Sequence, residues 1–249
     1  MPADTPTERP LSGRTIVTTR ERPGRLDSVL AALGADVVHV PLIETTDPTD
    51  GGRALRTALA DIDRFDWVIV TSPVGAERVL PSVRDAACRV GVVGRRTADV
   101  AAHALGREVD VVPRRQTAAD LVTALPDPGR TRRLLLAQAD RADPSTRELL
   151  EARGFEVTAV VAYRTVLRTP SDRERRAALD ADVVAFASGS AVTAWRDAIG
   201  ADTPPCVASI GPTTTAVALG CGVKVSITAT DHSVEGLAAA IVHSVGGGS

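Results

Sequence analysis

Hydroxyl-bearing residues and glycines recur in this chain where short apolar runs end: Thr18-Thr19-Arg20, Thr71-Ser72-Pro73, Gly94 to Thr97, Ala139-Asp140-Arg141, Ser188-Gly189-Ser190 and Gly211-Pro212-Thr213-Thr214-Thr215. Serine and threonine at such strand-to-helix junctions are ordinary N-caps, and Pro73 and Pro212 suit first helical turns, so capping alone explains any one of them. Together they offer free backbone N–H groups and hydroxyls, a surface suited to a ligand with several carboxylates or phosphates. Arg20, Arg95, Arg96 and Arg141 could add charge, and Arg20 and Arg141 are favoured because each directly follows a strand. Tyr163, the only tyrosine, ends the apolar run Glu156 to Ala162, where it could donate a proton to a ligand or simply pack.

Other chemistries lack their residues. The chain has no G-x-G-x-x-G, no G-x-x-x-x-G-K-[ST], no G-x-S-x-G and no H-E-x-x-H, which counts against dinucleotide, nucleotide, serine-hydrolase and zinc-protease readings. Cys88, Cys206 and Cys221 form no metal-ligand or disulfide pattern and are expected to be buried thiols. His39, His103, His232 and His243 are scattered, each better placed as a solvated or packed side chain than as a ligand, so no metal is expected. A net charge of -2 supplies no global field for nucleic acid or an anionic membrane. Of the basic residues only Lys224 is a lysine, a bias that tracks genome composition rather than function. Apolar runs such as Val183 to Ala187 fall far short of the roughly 18 residues a membrane span needs. Met1 to Pro10 is rich in Pro, Thr and Asp, unlike a secretory signal, so a cytoplasmic protein is expected. Gly246 to Ser249 reads as a flexible tail or an engineered scar.

The elements that carry these junctions occur twice. Phe65 to Ser72 aligns with Ala181 to Ser188, and Val90 to Gly94 with Val207 to Gly211; Thr117, Leu121 and Leu125 align with Ser233, Leu237 and Ile241. The opening segment Thr15 to Pro41, with Gly34, matches Arg133 to Tyr163, with Gly154, so the offset is about 116 to 120 positions throughout. Within each copy, Val/Ile-rich runs alternate with stretches of helical apolar spacing such as Leu26, Leu30 and Leu33. Each copy therefore reads as five strands and five helices, giving two small doubly wound α/β domains whose parallel sheets are buried on both faces. Ligands of such sheets sit beyond the carboxyl ends of the strands, and with two domains the expected site is the cleft between them. Pro126-Asp127-Pro128-Gly129 looks like a linker, but Pro41 to Gly52 and Thr165 to Asp172 are equally polar, so these features leave contiguous and exchanged halves both open.

Over roughly Gly13 to Val245 the chain resembles the uroporphyrinogen-III synthase family. The resemblance is carried by Gly154-Phe155-Glu156-Val157 through Val161-Ala162-Tyr163-Arg164-Thr165-Val166, by Val183 to Val192, by Ser209-Ile210-Gly211-Pro212-Thr213-Thr214 and by Ser233-Val234-Glu235-Gly236-Leu237. It implies exchanged halves: residues 1–40 with 168–249 as one discontinuous domain, 44–164 as the other, and 41–43 and 165–167 as connecting strands, with Val37 to Pro41 beside Tyr163 to Leu167. It implies conversion of hydroxymethylbilane, a linear tetrapyrrole bearing eight carboxylates, into uroporphyrinogen III, with inversion of the last ring and loss of water. By the same resemblance Tyr163 is the proton donor, and Thr71, Ser72, Ser188, Ser190, Thr213 and Thr214 hold carboxylates. The reading of the junctions adds Arg20, Gly94, Thr97, Arg141, Gly189 and Gly211 to the substrate-binding set. No cofactor is implied, the state is a monomer, and transient contact with hydroxymethylbilane synthase has a place in this picture. Thr215 departs from the family, where a small apolar residue is commoner. A non-catalytic two-domain binder of a small polyanion is the alternative, and a nucleotide-dependent enzyme on a Rossmann-like scaffold a third reading, disfavoured by the absent glycine fingerprint.

Overall fold

The computed structural model describes residues 9–130 and 132–246. The expectations for Met1 to Glu8 and for Gly247 to Ser249 lie outside them. The first copy supplies β1 (Thr15–Thr18), α1 (Arg25–Ala32), β2 (Asp36–His39), β3 (Ile43–Thr46), α2 (Arg53–Ala60), β4 (Trp67–Val70), α3 (Pro73–Val79), β5 (Arg89–Val92), α4 (Arg95–Leu105) and α5 (Ala118–Ala124). The second supplies β6 (Arg133–Ala139), α6 (Ser145–Ala152), β7 (Glu156–Leu167), α7 (Asp172–Leu179), β8 (Val183–Phe186), α8 (Gly189–Ala198), β9 (Cys206–Ser209), α9 (Pro212–Gly220), β10 (Ile227–Thr228) and α10 (Val234–Val245). Two short 3₁₀ turns, Ile62–Arg64 and Leu80–Val83, accompany the first copy.

The chain divides into two units, one built from Met1–Glu44 and Val166–Ser249, the other from Thr45–Thr165. The first sheet has the order β10-β9-β8-β1-β2 and the second β3-β7-β6-β4-β5. In the first sheet β1 runs parallel to β8, Ile16 opposite Val183; in the second β6 runs parallel to β4, Leu134 opposite Trp67. The opening β-α-β of each copy thus completes the sheet begun by the closing part of the other. The repeat extends to single pairings: Ile227 sits opposite Ala208, and at the aligned places Val111 bridges Gly91. Its helix ends match too. Gly34 (φ +94°) and Gly154 (φ +96°) follow α1 and α6 in the left-handed conformation, and in each the next residue's N–H returns to the helix, from Ala35 to Leu30 and from Phe155 to Leu150.

Burial on both faces explains the unbroken apolar strands. Val68 and Val70 pack with α2, α3 and α4 in one cluster, while Trp67 and Ile69, pointing the other way, pack with Leu121 of α5 and Leu150 of α6. In the first unit Val184 and Phe186 join Trp195 of α8, and Val183 and Ala185 join Leu30 of α1 and Leu237 of α10. Phe186 and Trp195 meet edge to face at 5.7 Å, and the indole N–H donates to the Asp202 carbonyl at 2.9 Å.

Three expectations are corrected. Val37 to His39 belong to β2 and pair with β1; the segment neighbouring β7 is β3, whose approach is fixed by the Arg168 N–H donating to the Leu42 carbonyl at 2.9 Å. The run from Glu156 does not stop at Ala162: β7 continues through Tyr163 to Leu167, because it serves first as partner of β6 and then as a link between units. Of the cysteines only Cys88 is buried, where desolvation pushes its thiol pKa up; Cys206 and Cys221 are partly exposed.

Candidate functional site

In the second unit the carboxyl ends of β4, β5 and β6 carry Thr71 and Ser72, Gly94, and Arg141 respectively; Tyr163, within β7, lies opposite Ala139, the last residue of β6. Ser72 is extended (φ −147°) ahead of Pro73, and its Oγ accepts the Gly75 N–H at 3.0 Å. Tyr163 donates its phenol O–H to the same oxygen at 2.9 Å. What aims the ring is a slip in register. Gln138 lies opposite Val161 but Ala139 lies opposite Tyr163, so one extra residue is accommodated in β7. Ala162 and Tyr163, consecutive in the strand, consequently enter the same apolar cluster as Val70, Ala76 and Val79. The Asp140 N–H donates to the Tyr163 carbonyl at 3.0 Å and fixes the bulge. Arg78 of α3 supports the strand from beneath, donating to Asp47 at 2.8 Å and reaching the Ala162 carbonyl at 3.5 Å.

The rest of this rim is more open. Arg141, Arg95 and Arg96 are exposed, whereas Arg164 is held to Asp140 at 3.6 Å. Gly94 caps α4 without a side chain; instead Gln116 leans over it, and its Oε1 accepts the Arg95 N–H at 3.1 Å. Thr97, in the first turn of α4, is buried.

In the first unit the same strand ends carry Arg20, Ser188 with Gly189 and Ser190, and Gly211 with Thr213 and Thr214. Ser188 caps α8, accepting the Ala191 N–H at 3.3 Å, and its hydroxyl lies 3.0 Å from that of Ser190. Gly189 is required by close approach: a Cβ there would sit 2.9 Å from Val217 of α9. Gly211 caps α9 with no side-chain bond to its amides, and Pro212 occupies the first turn. Its φ of 172° is extended and open to any residue; the constraint is the His232 ring, 2.8 Å from where a Cβ would lie. Thr213 is exposed and Thr214 is buried. A shallow hollow at the ends of β1 and β8 is lined by Thr18, Thr19, Arg20, Asp27 and Ser188. Asp27 does not stand there as a free negative charge: its oxygens accept the Thr18 O–H and the Gly24 N–H, which caps α1.

Residue reasoning missed Asp27, Gln116 and His232. Gln116 and His232 each precede the N-cap of a helix and each covers the glycine heading another, and their 116-position separation matches the repeat, a signal available in the sequence. Among the described residues no group of three or more His, Cys, Asp or Glu is placed to hold a metal ion.

Doubly wound parallel sheets with uncapped helix amides and hydroxyls at their carboxyl rims, and a phenol tied into one rim, define an α/β enzyme suited to a polyanionic ligand. The family model described as uroporphyrinogen-III synthase HemD matches residues 24–239. This chain belongs to the uroporphyrinogen-III synthase family, cyclising lyases of tetrapyrrole biosynthesis. It is 31% identical over 258 residues to uroporphyrinogen-III synthase of Synechococcus elongatus, covering 94% of this chain and 96% of that one. It is 30% identical over 245 residues to the chloroplastic uroporphyrinogen-III synthase of Oryza sativa subsp. japonica, covering 92% and 80%. Among solved structures it is similar to uroporphyrinogen-III synthetase of Helicobacter pylori, with a TM-score of 0.60, 16% identity and 90% and 96% of the two chains covered. A mutant uroporphyrinogen III synthase of Thermus thermophilus gives a TM-score of 0.50 at 18% identity, covering 85% and 90%. These two likenesses establish the fold. No helix among the described residues is long and apolar enough to cross a membrane.

Proposed function

We propose that this chain converts hydroxymethylbilane into uroporphyrinogen III, and that Tyr163 is its proton donor. The observation that carries the assignment of roles is the 2.9 Å bond from the Tyr163 phenol to Ser72 at a strand-end rim. The terminal pyrrole is electron-rich enough to expel its own hydroxymethyl oxygen: the C–O bond breaks, a proton reaches the departing oxygen, and water leaves. A weak acid held beside that oxygen assists departure, typically by about 100-fold to 10,000-fold. Ser72, already accepting from Gly75, holds the phenol oxygen in place, and the phenol's one proton turns from Ser72 to the departing oxygen when substrate is bound. The harder task is geometrical, because the substituted α-carbon of the last ring must attack the carbocation; the methylene bond already on that carbon then breaks and re-forms at the ring's other α-carbon, which loses its proton, giving inversion rather than the simpler type I macrocycle. Holding the chain in that geometry supplies the selectivity.

The substrate carboxylates are assigned to Arg20, Ser188, Gly189, Ser190, Gly211, Thr213 and Thr214 in the first unit. In the second they are assigned to Thr71, Ser72, Gly94, Thr97 and Arg141. Backbone N–H groups at the helix starts supply much of this grip, which suits a protein of net charge -2. We further propose a monomer working in the cytoplasm, in keeping with three free thiols, and receiving its unstable substrate by transient contact with hydroxymethylbilane synthase.

The deciding experiment incubates the protein with freshly made hydroxymethylbilane, without added metal or nucleotide, and separates type I from type III isomers. Predominantly type III product is expected. Type I alone from folded protein would overturn the reading.

A further inference from the structure

Behind the Gly211 turn lies a chain of hydroxyls. Ser209, the last residue of β9 and fully buried, has its Oγ 2.6 Å from Oγ1 of Thr215 in α9. Thr215 Oγ1 in turn lies 2.7 Å from Oγ1 of Thr228, the last residue of β10. Ser209 also reaches the Ile227 carbonyl at 3.5 Å. Two strands and the first full turn of a helix are thereby tied at one point, and the Thr215 N–H closes that turn on the Gly211 carbonyl at 3.0 Å.

The sister copy provides an internal control. At the positions aligned with Ser209, Thr215 and Thr228 it has Val92, Ala98 and Val112. The surrounding pairing is the same, Val111 bridging Gly91 where Ile227 pairs with Ala208. The junction therefore folds with three apolar side chains in place of three hydroxyls. A satisfied buried hydroxyl contributes little net stability over an apolar residue of similar shape, since its bonds largely offset its desolvation. What the hydroxyls add is direction: they fix where the first turn of α9 stands relative to the strand ends.

We propose that Thr215 is a positioning residue, holding through Ser209 and Thr228 the Gly211–Thr214 turn in the place where its amides grip a substrate carboxylate. This rests on the function proposed above and explains the departure at Thr215: the hydroxyl locks one rim where the sister rim has none.

The test replaces all three residues with their sister-copy counterparts, Ser209→Val, Thr215→Ala and Thr228→Val, so that no buried hydroxyl is left unpaired. Steady-state kinetics on hydroxymethylbilane, with isomers resolved, is compared with urea unfolding. The triple variant is expected to fold with near-native stability, to show KM raised about tenfold, the size of one lost charge-assisted hydrogen bond, and to keep kcat within about twofold. Thr215→Ser, which keeps the hydroxyl, is expected to hold the native KM. A folded triple variant with native KM would overturn the proposal. If the triple variant does not fold, Thr215→Ser is compared with Thr215→Val: native KM in the first and a raised KM in the second are expected, and one KM shared by the two would overturn the positioning role. Type III product from the unaltered protein is established first, so failure of the functional reading is seen separately from failure of this one.

Discussion

The shared oxygen at Ser72 makes a double-mutant cycle with Tyr163 the sharpest probe of the rim. Ser72→Ala removes an N-cap, worth about 1 kcal/mol, and the acceptor of the phenol, worth about another 0.5 to 1.5 kcal/mol. Tyr163→Phe removes only the second of these. The two variants together should thus destabilise by about 1 kcal/mol less than the sum of the singles, because one bond would otherwise be counted twice. The kinetic expectation differs in shape. Tyr163→Phe should lower kcat by about 100-fold to 10,000-fold yet leave measurable turnover, since the leaving group departs partly unaided. Ser72→Ala keeps the phenol but frees it to turn, and losing about 1 kcal/mol of alignment lowers kcat about fivefold. In the double variant no phenol remains to be aligned, so kcat should fall no further than in Tyr163→Phe. Urea unfolding and steady-state kinetics on the four proteins provide both cycles. Losses that multiply in kcat would mean Ser72 acts on substrate independently of Tyr163, and an unchanged kcat in Tyr163→Phe would return the ring to a packing role.

At Gly211 the crowding comes from the His232 ring rather than from φ, so Gly211→Val should raise KM at least about tenfold and His232→Ala in the same chain should recover most of the loss; absence of recovery would place the valine's effect elsewhere. Glu174 has its pKa lowered from 4.5 to about 2 by the Ser171 N–H, then by Arg168 and the Ser171 hydroxyl. A depressed carboxylate stabilises the fold above its unfolded pKa and loses that contribution as pH falls from about 4.5 towards 2, so Glu174→Gln should cost about 1 kcal/mol at pH 7 and progressively less in that window. Parallel urea titrations at pH 7 and pH 3 check this, and an equal loss at both would refute it.

The repeat made the fold legible because its punctuation is physical. Gly34 and Gly154 each hold a left-handed position that ends a helix, and apolar strands such as Trp67–Val70 and Val183–Phe186 are unbroken because both faces are covered. Element composition within a copy says nothing about which copy's β1 a strand joins, since the competing sheets bury similar residues in similar patterns. The difference lies in where the chain crosses. Leu42 is fully buried, its N–H donating to the Thr19 carbonyl while its carbonyl accepts the Arg168 N–H; the Arg168 guanidinium in turn donates to the Pro41 carbonyl at 3.0 Å and to Glu174. Pro41 and Leu42 lie more than a hundred positions from Arg168 in the chain, and no local period registers that meeting.

The site divides along the same line. Junction glycines and hydroxyls were legible because capping is a local requirement with a short sequence signature. Tyr163 could be singled out by type, but its direction depends on one extra residue in β7 opposite Gln138 and Ala139, and nothing in the composition of that strand marks the slip. The contacts that distinguish the two rims come from positions where aligned residues differ: Gln116 closes the glycine turn of α4, whereas His232 covers that of α9 and leaves its amides uncapped. Ser209, Thr215 and Thr228 against Val92, Ala98 and Val112 follow the same rule. Where two copies must satisfy the same fold, positions that agree report what the fold requires. The hydroxyls of Ser209, Thr215 and Thr228, confined to one copy, are therefore not required by the shared fold, and they tie the ends of β9 and β10 to the first turns of α9.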